Sequence, residues 1–560
     1  MIFNGAQIIM ESLKREHVDV VFGYPGGSVL TLYDELYKLH FPHILTGHEQ
    51  GAVHAADGYA RATGKTGVCF ATSGPGICNM VTGIATANMD SVPLVIISGQ
   101  VATSLIGRDS FQEADVSQIT KPITKRNYLV KKIKELPSIL EEAFQIAASG
   151  RPGPVLVDVP KDIFDATVEY EFTEKQKKQE KQELQPRQEA DLDAVIEVLQ
   201  HAYKPIILTG GGIILSDTSE LLRRIVWHTK IPVVTTLMGK GAMADSSDLH
   251  LGMVGMHGSY AANMAVMECD VLLTVGARFD DRVTGDVKNF APHARIVHFD
   301  IDKNEINKII HANISVQADL RCSLLRFADK LENSGIDYGR RFSLWRRHTE
   351  NMKRSHPFAS RKRLHEITPQ QIFEVVRKHT DKDAIVVTDV GQHQMWTAQF
   401  YDVEKPRHFI TSGGLGTMGY GLPAAIGAKI GCPHATVLLF SGDGSIMMNC
   451  QEFATMARYG VDVKVFILHN HVLGMVNQWQ RFFYEHRCSC SVFNDKTHIP
   501  SLTAAMGVPG FTVVDSGKLD SVVFQAMEHT GPAVVDIKIA EDEDVLPMVP
   551  GGKRLDQMIL

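Results

Sequence analysis

The stretch FSGDGSIMMNC, residues 440–450, joins an apolar run to a carboxylate that stands between two glycines. The apolar run predicts a buried strand, and the glycines beside Asp443 let the backbone turn sharply and approach a ligand closely. A carboxylate at the carboxyl end of a strand suits a hard cation such as Mg²⁺, which proteins hold with one or two oxygens plus substrate phosphates. Taken alone, an aspartate here is more often the N-cap of a helix.

The 25 residues 445–469 follow this motif and lead, through the apolar run VKVFILH, to Asn470. If the two strands are parallel neighbours, Asp443 and Asn470 reach the same sheet edge and share one cation. A GDG followed at this distance by an asparagine resembles the diphosphate–magnesium motif of thiamine diphosphate enzymes. That motif usually has two adjacent asparagines, and His469 replaces the first. Its third metal ligand is a main-chain carbonyl, which corresponds to that of Val472.

Short β-branched runs alternate with helical patterns along the chain, for example in KPIILTGGG and DAIVVTDVG. This alternation predicts an α/β protein whose parallel sheets are covered on both faces. Two charged stretches interrupt the chain, so we predict three doubly wound parallel-sheet domains joined by two linkers. The predicted domains are residues 1–165, 191–340 and 367–560, and the predicted linkers are residues 166–190 and 341–366, the second of them a solvated helix.

The first and third segments share three phrases in the same order. VCFATSGPGICNM, VPLVIISGQ and GPVLVDVP in the first segment correspond to VLLFSGDGSIMMN, VKVFILHN and GPAVVDIK in the third. We therefore predict two related domains that flank a middle domain of a different kind.

Composition narrows the class of protein. The 560 residues carry a formal net charge of −7, which argues against a nucleic-acid partner. No apolar run approaches the roughly 20 residues that span a bilayer, and the start does not resemble a signal peptide. The eight cysteines are scattered without a CxxC pair, as free thiols in a reducing compartment would be. We expect a cytoplasmic protein without a membrane partner.

Thiamine diphosphate chemistry needs a second carboxylate, which protonates the aminopyrimidine ring so that the thiazolium carbon can lose a proton. Residues 43–64, HILTGHEQGAVHAADGYARATG, predict a short strand, then Glu49, then a helix of small residues. A glutamate in the first turn of a helix is also stabilised by the helix dipole without any catalytic role. Together with the motif at Asp443, the pattern favours a catalytic Glu49.

Motifs along nearly the whole chain, outside the linkers, resemble the acetohydroxyacid synthase (acetolactate synthase) family, in its biosynthetic catalytic subunits. The motifs are FGYPGGSVLTLYDEL, HEQGAVHAADGYARATGK, ATSGPG, DSFQEADV, RPGPVLVDVPKDI, GARFDDRVTGD, TDVGQHQMW, GGLGTMGYGLPAAIGAK, SGDGS and LGMVNQWQRFFYE. The resemblance implies that the outer two domains bind thiamine diphosphate and that the middle domain is of the FAD-binding type.

The resemblance also implies roles for individual residues. Glu49 would activate a cofactor anchored on the third domain of a partner subunit, and Met418 would hold that cofactor bent. The other implied catalytic residues are Phe111, Gln112, Lys161 and Trp479, the last of which would select the acceptor. The implied thiamine diphosphate contacts are Gly391, Gln392, His393, Gly442, Gly444, Ser445, Met475 and Val476, with Asp443, Asn470 and Val472 as Mg²⁺ ligands.

The middle segment would hold FAD, although TGGG at residues 209–212 is not a G-x-G-x-x-G fingerprint. Arg282 would also suit a keto-acid carboxylate through bidentate hydrogen bonds, while an ordinary surface ion pair inside RFDDR stays an alternative. The implied flavin or substrate contacts are Arg151, Gly210, Gly211, Gly212, Thr236, Leu237, Met238, Met256, His257, Gly276, Arg278, Asp280, Arg282, Val283, Asp300, Ile301 and Asp319.

The implied reaction is decarboxylation of pyruvate and transfer of the remaining two-carbon unit to a second 2-keto acid. Pyruvate as acceptor gives 2-acetolactate, and 2-oxobutanoate gives 2-aceto-2-hydroxybutanoate, in the biosynthesis of branched-chain amino acids. FAD would be structural, because no net redox change occurs. The implied partners are a second copy of the chain, in a homodimer or larger assembly with active sites between chains, and a regulatory small subunit.

Three alternatives differ in class. A pyruvate oxidase or another carboligase of the superfamily would share the cofactor motifs, and a regulatory flavoprotein would keep the FAD domain without turnover. GYARATGKT suggests a P-loop ATPase, but five residues separate Gly58 from Gly64 where that motif has four, and the segment is predicted to end a helix. We reject the P-loop on both grounds.

Overall fold

The structure is a computed structural model that describes residues 1–172, 183–361, 366–494 and 497–560. Three six-stranded sheets, each entirely parallel, lie in succession along the chain, which confirms the predicted fold class. Part of each predicted linker, residues 173–182 and 362–365, lies outside the described residues. Among the residues that are described, no helix combines the length and apolar character needed to cross a bilayer.

The amino-terminal unit, residues 1–169, has the sheet order β3-β2-β4-β5-β7-β6, while β1 and β8 form a separate antiparallel pair. Its strands are β1 (Ile2–Asn4), β2 (Val21–Gly23), β3 (His43–Leu45), β4 (Gly67–Ala71), β5 (Leu94–Gln100), β6 (Arg126–Leu129), β7 (Pro154–Pro160) and β8 (Thr167–Glu169). Its helices are α1 (Gly5–Arg15), α2 (Leu30–Lys38), α3 (Glu49–Thr63), α4 (Pro75–Asn79), α5 (Val81–Asp90), α6 (Val116–Thr120), α7 (Leu136–Ala148) and α8 (Lys161–Asp165).

Helix α3 has well-defined ends. His48 is its N-cap and accepts a hydrogen bond from the Gln50 N–H. Gly64 ends the helix with φ of 75°, a left-handed conformation that glycine adopts without strain. The GYARATGKT segment therefore lies at the end of a helix, as predicted, and does not form a loop after a strand.

The middle unit, residues 186–355, has the sheet order β11-β10-β9-β12-β13-β14, which is that of a dinucleotide-binding doubly wound sheet. Its strands are β9 (Pro205–Thr209), β10 (Val233–Thr235), β11 (His250–Met253), β12 (Val271–Val275), β13 (Arg295–Asp300) and β14 (Ile314–Gln317). Its helices are α9 (Pro186–His201), α10 (Gly211–Leu215), α11 (Ser219–Thr229), α12 (Tyr260–Glu268), α13 (Asp281–Thr284), α14 (Leu320–Glu332), α15 (Tyr338–Arg341) and α16 (Ser343–Ser355).

Helix α16 lies within the second predicted linker, residues 341–366, and one of its faces is buried. Trp345 belongs to the hydrophobic core that includes α12, and its indole N–H donates to the Pro205 carbonyl over 3.0 Å. The helix predicted for this stretch is therefore present, and it packs against the middle unit.

The carboxy-terminal unit, residues 369–560, has the sheet order β16-β15-β17-β18-β20-β19. Its strands are β15 (Ile385–Thr388), β16 (Phe409–Ile410), β17 (Val437–Gly442), β18 (Val463–His469), β19 (Gly510–Val513) and β20 (Ala533–Lys538). Its helices are α17 (Pro369–Lys378), α18 (Gln392–Phe400), α19 (Gly421–Gly431), α20 (Asp443–Ile446), α21 (Glu452–Arg458), α22 (Gly474–Phe483), α23 (Ile499–Ala505) and α24 (Ser516–Glu528).

The two outer sheets have the same topology. The order β3-β2-β4-β5-β7-β6 becomes β16-β15-β17-β18-β20-β19 when each strand is replaced by its counterpart. The three repeated phrases contribute β4, β5 and β7 in the amino-terminal unit and β17, β18 and β20 in the carboxy-terminal unit. The structure thus confirms the prediction of two related domains that flank a third.

The outer units pack on each other through α3 and α19, whose backbones approach closely. A Cβ on Gly427 would lie 1.8 Å from the Ala55 carbonyl oxygen, and a Cβ on Gly58 would lie 2.0 Å from that of Ala424. The chain end then returns to the middle unit, where the Val549 N–H donates to the Met256 carbonyl over 2.7 Å. All three units therefore meet around one space.

Candidate active site

The predicted metal-binding residues lie at the carboxyl edge of the carboxy-terminal sheet. Strands β17 and β18 are parallel neighbours, with Gly442 opposite Leu468. Asp443 directly follows the first strand and Asn470 the second, so both reach the same edge, as the sequence predicted. Both residues are buried.

Asp443 has the surroundings of a carboxylate that lacks its counter-charge. Burial raises its pKa to about 6, although His469 and the main-chain N–H groups of Asn470 and His471 favour the charged form. Helix α20 begins at Asp443, with Gly442 as its N-cap residue. The alternative that Asp443 itself is the N-cap is therefore not the geometry found. A divalent cation would supply the missing positive charge.

His469, which replaces the first asparagine of the usual motif, belongs to a compact polar cluster. Its Nδ1 lies 2.7 Å from Asp536 Oδ1 and 2.6 Å from Lys538 Nζ, while its Nε2 lies 3.5 Å from Asp443 Oδ2. Burial alone would raise the pKa of Asp536, but hydrogen bonds and charge from His469 and Lys538 hold it below its ordinary value. Asp536 and Lys538 both belong to β20, so this strand holds the histidine in place.

Gln392 contacts Asn470 through its side chain. Its Oε1 accepts from Asn470 Nδ2 over 3.0 Å, and its Nε2 donates to Gln478 Oε1 and to the Glu543 carbonyl. The bond from Asn470 Nδ2 leaves Asn470 Oδ1 for a cation, with the Val472 N–H 3.3 Å away as a competitor. Since the Gln392 amide is occupied at both ends, a contact from this residue to a diphosphate would use its main-chain N–H at the start of α18.

His393 carries an unpaired polar atom in this region. It is buried, burial lowers its pKa to about 3, and its Nε2 has no hydrogen-bond partner among the described residues. Gly442 lets the ring approach closely, because a Cβ there would lie 2.8 Å from His393 Nδ1. Ser445 is also buried beside this edge. A polar ligand such as a diphosphate would satisfy His393 Nε2, so the residues present fit the cofactor.

Three further predicted residues of this edge, Gly444, Val472 and Val476, show no polar side-chain contact within the described residues that points to a ligand. A Cβ on Gly444 would lie 2.9 Å from the Phe493 ring, so that ring packs closely against the backbone there. Val472 is buried and pairs with Val492 in an isolated bridge. Val476 is 48% exposed on α22 and does not line the cavity described next.

A cavity of about 1800 Å³ lies where the three units meet. It is larger than the roughly 300–1,000 Å³ of a typical small-ligand pocket. Among the predicted residues, those that line it are Arg151, Gly211, Gly212, Thr236, Leu237, Met238, Met256, His257, Gly276, Arg278, Asp280, Arg282, Val283, Asp300, Ile301, Asp319, Gly391, Met418, Met475 and Trp479. Predicted residues of all three units therefore line one space.

His257, which lines the cavity, and Thr209, which ends β9, are among the described residues of the middle unit whose buried polar atoms lack a hydrogen-bond partner. Both ring nitrogens of His257 and the hydroxyl of Thr209 are buried without a hydrogen-bond partner within the described ranges. Gly210 has no room for a side chain, since a Cβ would lie 2.4 Å from the Gly276 carbonyl oxygen. Such a set of unpaired atoms and close-packed glycines fits a large polar ligand of the dinucleotide class.

Several cavity residues also have structural roles. Asp280 is the N-cap of α13 and accepts from the Arg282 and Val283 N–H groups, and Asp319 is the N-cap of α14. Arg282 places its guanidinium 5.6 Å from the centre of the Trp479 ring. It is more than half exposed, so the ion-pair alternative reduces to a loose contact of 3.7 Å with Asp281.

Four predicted residues of the amino-terminal unit, unlike Arg151, do not line this cavity. Glu49 is buried, accepts from Asn79 Nδ2 over 3.0 Å and lies beside Gly76, while Gln112 packs on Gly74 of the same turn. Lys161 is exposed at the start of α8, and Phe111 is 89% exposed. These side chains lie at the carboxyl edge of the amino-terminal sheet, separate from the edge that carries Asp443.

Sequence reasoning missed cavity residues whose position depends on contacts between units. Arg61 and Asp90 line the cavity, together with a loop that begins at Thr411 and reaches Met418. Asp389, a buried carboxylate just after β15, was also missed, although its place after an apolar strand repeats the pattern at Asp443. Burial raises the pKa of Asp389, which accepts from the Gly419 N–H over 2.8 Å.

Comparisons with known proteins agree with this architecture. Three thiamine pyrophosphate enzyme models match the chain: the N-terminal TPP binding domain at residues 3–119, the central domain at residues 192–327 and the C-terminal TPP binding domain at residues 389–537. The chain is 45% identical to the acetolactate synthase large subunit of Parasynechococcus marenigrum (strain WH8102), over 99% of this chain and 91% of that protein. It is 43% identical to the acetolactate synthase large subunit of Lactococcus lactis subsp. lactis (strain IL1403), over 99% of this chain and 96% of that protein. It is also 43% identical to the acetolactate synthase isozyme 2 large subunit of Escherichia coli (strain K12), over 99% of both chains.

Proposed function

This chain belongs to the thiamine pyrophosphate enzymes, among the acetolactate synthase large subunits, and from that premise we propose that it makes acetolactate from pyruvate. It decarboxylates one pyruvate and transfers the two-carbon unit to a second 2-keto acid. With pyruvate as acceptor the product is 2-acetolactate, and with 2-oxobutanoate it is 2-aceto-2-hydroxybutanoate. The observation that carries the proposal is the shared sheet edge of Asp443 and Asn470, beside the unpaired Nε2 of His393.

The carboxy-terminal unit would anchor thiamine diphosphate. Asp443, Asn470 and the Val472 carbonyl would hold Mg²⁺, and the main-chain N–H groups at the start of α18, with His393, would bind the diphosphate. When bound there, thiamine diphosphate would supply the carbon nucleophile that the reaction with pyruvate requires. The burial of Asp443 supports a role as ligand, because a buried carboxylate is stabilised by a paired cation.

The amino-terminal unit would complete the site of a second copy of the chain. Glu49 would hold or move a proton at the aminopyrimidine ring, and Phe111, Gln112 and Lys161 would line the same pocket. The exposure of Phe111 and Lys161, and their absence from the cavity of their own chain, support a homodimer with active sites between subunits. A regulatory small subunit is a further expected partner, because the relatives are named as large subunits.

The middle unit would bind FAD, with its phosphates near Gly211 and Gly212 at the start of α10. The unpaired nitrogens of His257 and the size of the cavity support this assignment. The FAD would be structural, because the proposed reaction has no net redox change. A pyruvate oxidase would use the same fold, but it would need an electron acceptor.

The decisive experiment is an assay of the purified protein with pyruvate, thiamine diphosphate, Mg²⁺ and FAD under anaerobic conditions. We expect acetolactate as the product, with a flavin absorbance that is not reduced in proportion to turnover. If turnover instead requires an added electron acceptor and yields no acetolactate, the pyruvate oxidase alternative is correct.

The metal assignment has its own test in the Asp443→Ala variant. We expect a loss of Mg²⁺-dependent thiamine diphosphate binding, measured by calorimetry, because the diphosphate charge loses its compensation. Asp515→Ala is the matched control, since Asp515 is an aspartate N-cap in the same unit. Unchanged cofactor affinity in the Asp443 variant would refute its role as a ligand.

A further inference from the structure

We propose that Asp90, held by Arg61, is the residue that positions the loop of residues 411–418 and thereby places Met418 in the cofactor cavity. Only one part of this inference rests on the proposed function, namely that Met418 contacts the cofactor. The loop runs from the end of β16 towards the start of α19, and its sequence is TSGGLGTM. Ser412, Gly413, Gly414, Leu415, Gly416 and Met418 all line the cavity. A loop with three glycines has little stiffness of its own, so its shape must come from its contacts.

The carboxylate of Asp90, the last residue of α5, binds two consecutive main-chain amides of the loop. Its Oδ1 accepts from the Gly414 N–H over 2.7 Å, and its Oδ2 accepts from the Gly413 N–H over 3.1 Å. The side chain of Asp90 is fully buried. Hydrogen bonds from N–H groups to a buried carboxylate are charge-assisted and strongly directional. Asp90 therefore defines the position of the glycine pair.

Arg61 completes the arrangement from α3. Its guanidinium donates to Asp90 Oδ2 over 2.7 Å and to the Thr411 carbonyl over 2.9 Å, so it contacts both the carboxylate and the start of the loop. Near the other end, the hydroxyls of Thr86 and Thr417 lie 2.7 Å apart. The amino-terminal unit thus contacts the loop at its start, its middle and close to Met418.

Gly413 and Gly414 are closely surrounded by other side chains. A Cβ on Gly414 would lie 2.7 Å from Asp90 Oδ1, and a Cβ on Gly413 would lie 2.3 Å from Met238 Sδ of the middle unit. The loop is therefore held between Asp90 on one side and the predicted flavin contact Met238 on the other. A displacement of the loop would alter both the Met418 side and the Met238 side of the cavity.

Asp57 offers a matched comparison within the same network. It also pairs with Arg61, over 2.6 Å, and its side chain is also fully buried. Its other partner is the Tyr420 hydroxyl, and it makes no hydrogen bond to residues 411–418 within the described part of the chain. Asp57→Asn and Asp90→Asn each replace a buried carboxylate on the same arginine, but only the second removes an acceptor from the loop.

The direct test is hydrogen–deuterium exchange at single-amide resolution on the cofactor-free, full-length protein. In the wild type we expect the Gly413 and Gly414 amides to exchange at least tenfold more slowly than those of Leu415 and Gly416, which donate no hydrogen bond among the described residues. In Asp90→Asn we expect this protection to fall at least tenfold, while Asp57→Asn retains it. Equal protection of all four amides in the wild type would overturn the proposal even if neither variant folds.

A second measurement connects the loop to the cofactor. We expect the Kd for thiamine diphosphate, measured by calorimetry at saturating Mg²⁺, to rise at least fivefold in Asp90→Asn and less than twofold in Asp57→Asn. An equal rise in both variants would mean that the network acts on stability alone and would overturn the positioning role. If the wild type bound no thiamine diphosphate, the proposed function would fail, while the exchange experiment would still decide how the loop is held.

Discussion

At the scale of single residues, the structure explains how His469 is accommodated in place of the usual asparagine. The imidazole fills its position by bonding to Asp536 on β20, while Asn470 keeps its own bond to Gln392. The histidine therefore bonds to a neighbouring strand, and Asn470 uses Nδ2, not Oδ1, in its bond to Gln392. Single substitutions at Glu49 and Trp479 test the catalytic roles that the sequence predicts for these two residues.

Glu49→Gln should fold normally and lose at least about a hundredfold in pyruvate turnover. Glutamine preserves the shape and the contact with Asn79, but it cannot exchange a proton with the cofactor ring. Turnover is measured as acetolactate formed per active site, with FAD content and thermal stability as controls of folding. Turnover within threefold of the wild type would leave Glu49 as a residue that only stabilises the start of α3.

Trp479→Leu should retain acetolactate formation and lose most of the preference for 2-oxobutanoate. Trp479 lines the cavity four residues after Met475 on α22. Packing one additional methylene against the indole contributes about 0.8 kcal/mol, roughly a fourfold preference, and up to about 3 kcal/mol in a tight pocket, roughly a hundredfold preference. Competition between the two acceptors in one reaction measures the preference. Phe483→Leu, on the same helix but outside the cavity, is the control and should leave the product ratio unchanged. If the ratio changed in Phe483→Leu and not in Trp479→Leu, Trp479 would not select the acceptor.

At the scale of elements, the crossing of α3 and α19 joins the two outer units of one chain. The helices approach closely because small residues face each other along the contact, with Gly58 and Gly427 against opposite backbones. Backbone contact of this kind tolerates no added atom, since the neighbour at each glycine is a carbonyl group that belongs to a helix. Helix α3 carries Arg61, which contacts the start of the 411–418 loop, and α19 begins shortly after the end of that loop, so their packing bears on the cavity as well.

Gly427→Ala should therefore destabilise the protein by about 1–3 kcal/mol, the usual cost of overpacking, despite the better helix propensity of alanine. The measurement is the midpoint of thermal unfolding. Gly551→Ala is the control, because a Cβ at that exposed glycine meets nothing within 4 Å. A midpoint for Gly427→Ala equal to that of the control would show that the helices separate readily.

At the scale of the whole molecule, the cavity belongs to no single unit. Arg151 of the amino-terminal unit donates to Ser91 and to Glu305 of the middle unit, and the chain end returns from the carboxy-terminal unit to Met256. Conditions that loosen the contacts between units should therefore change the cavity before they unfold any one sheet.

Acidification is one such condition. His54 lies fully buried between the outer units, and burial lowers its pKa from near 6.5 to about 3. Below pH 6.5 the unfolded chain binds a proton that the folded chain does not, so stability falls as the pH falls towards 3. Between pH 6.5 and 5 this one group costs about 2 kcal/mol. His54→Gln should flatten the pH dependence of thermal unfolding between pH 7 and 5, whereas His201→Gln, at an exposed position, should not. Equal slopes in the His54 variant and the wild type would refute the effect.

The sequence by itself determined the class of fold, the repeat of the outer domains and the pairing of Asp443 with Asn470 at one edge. These features follow from local patterns, because apolar runs of strand length fix the sheets and parallel strands bring their carboxyl ends together. The tertiary structure alone decided that Gln392 bonds to Asn470, and that Asp90 contacts Gly413 across a separation of 323 residues. No local pattern encodes such contacts, since they depend on how the units pack. The physical reason is that hydrogen bonding across a domain boundary depends on side-chain positions that only the packed helices and sheets define.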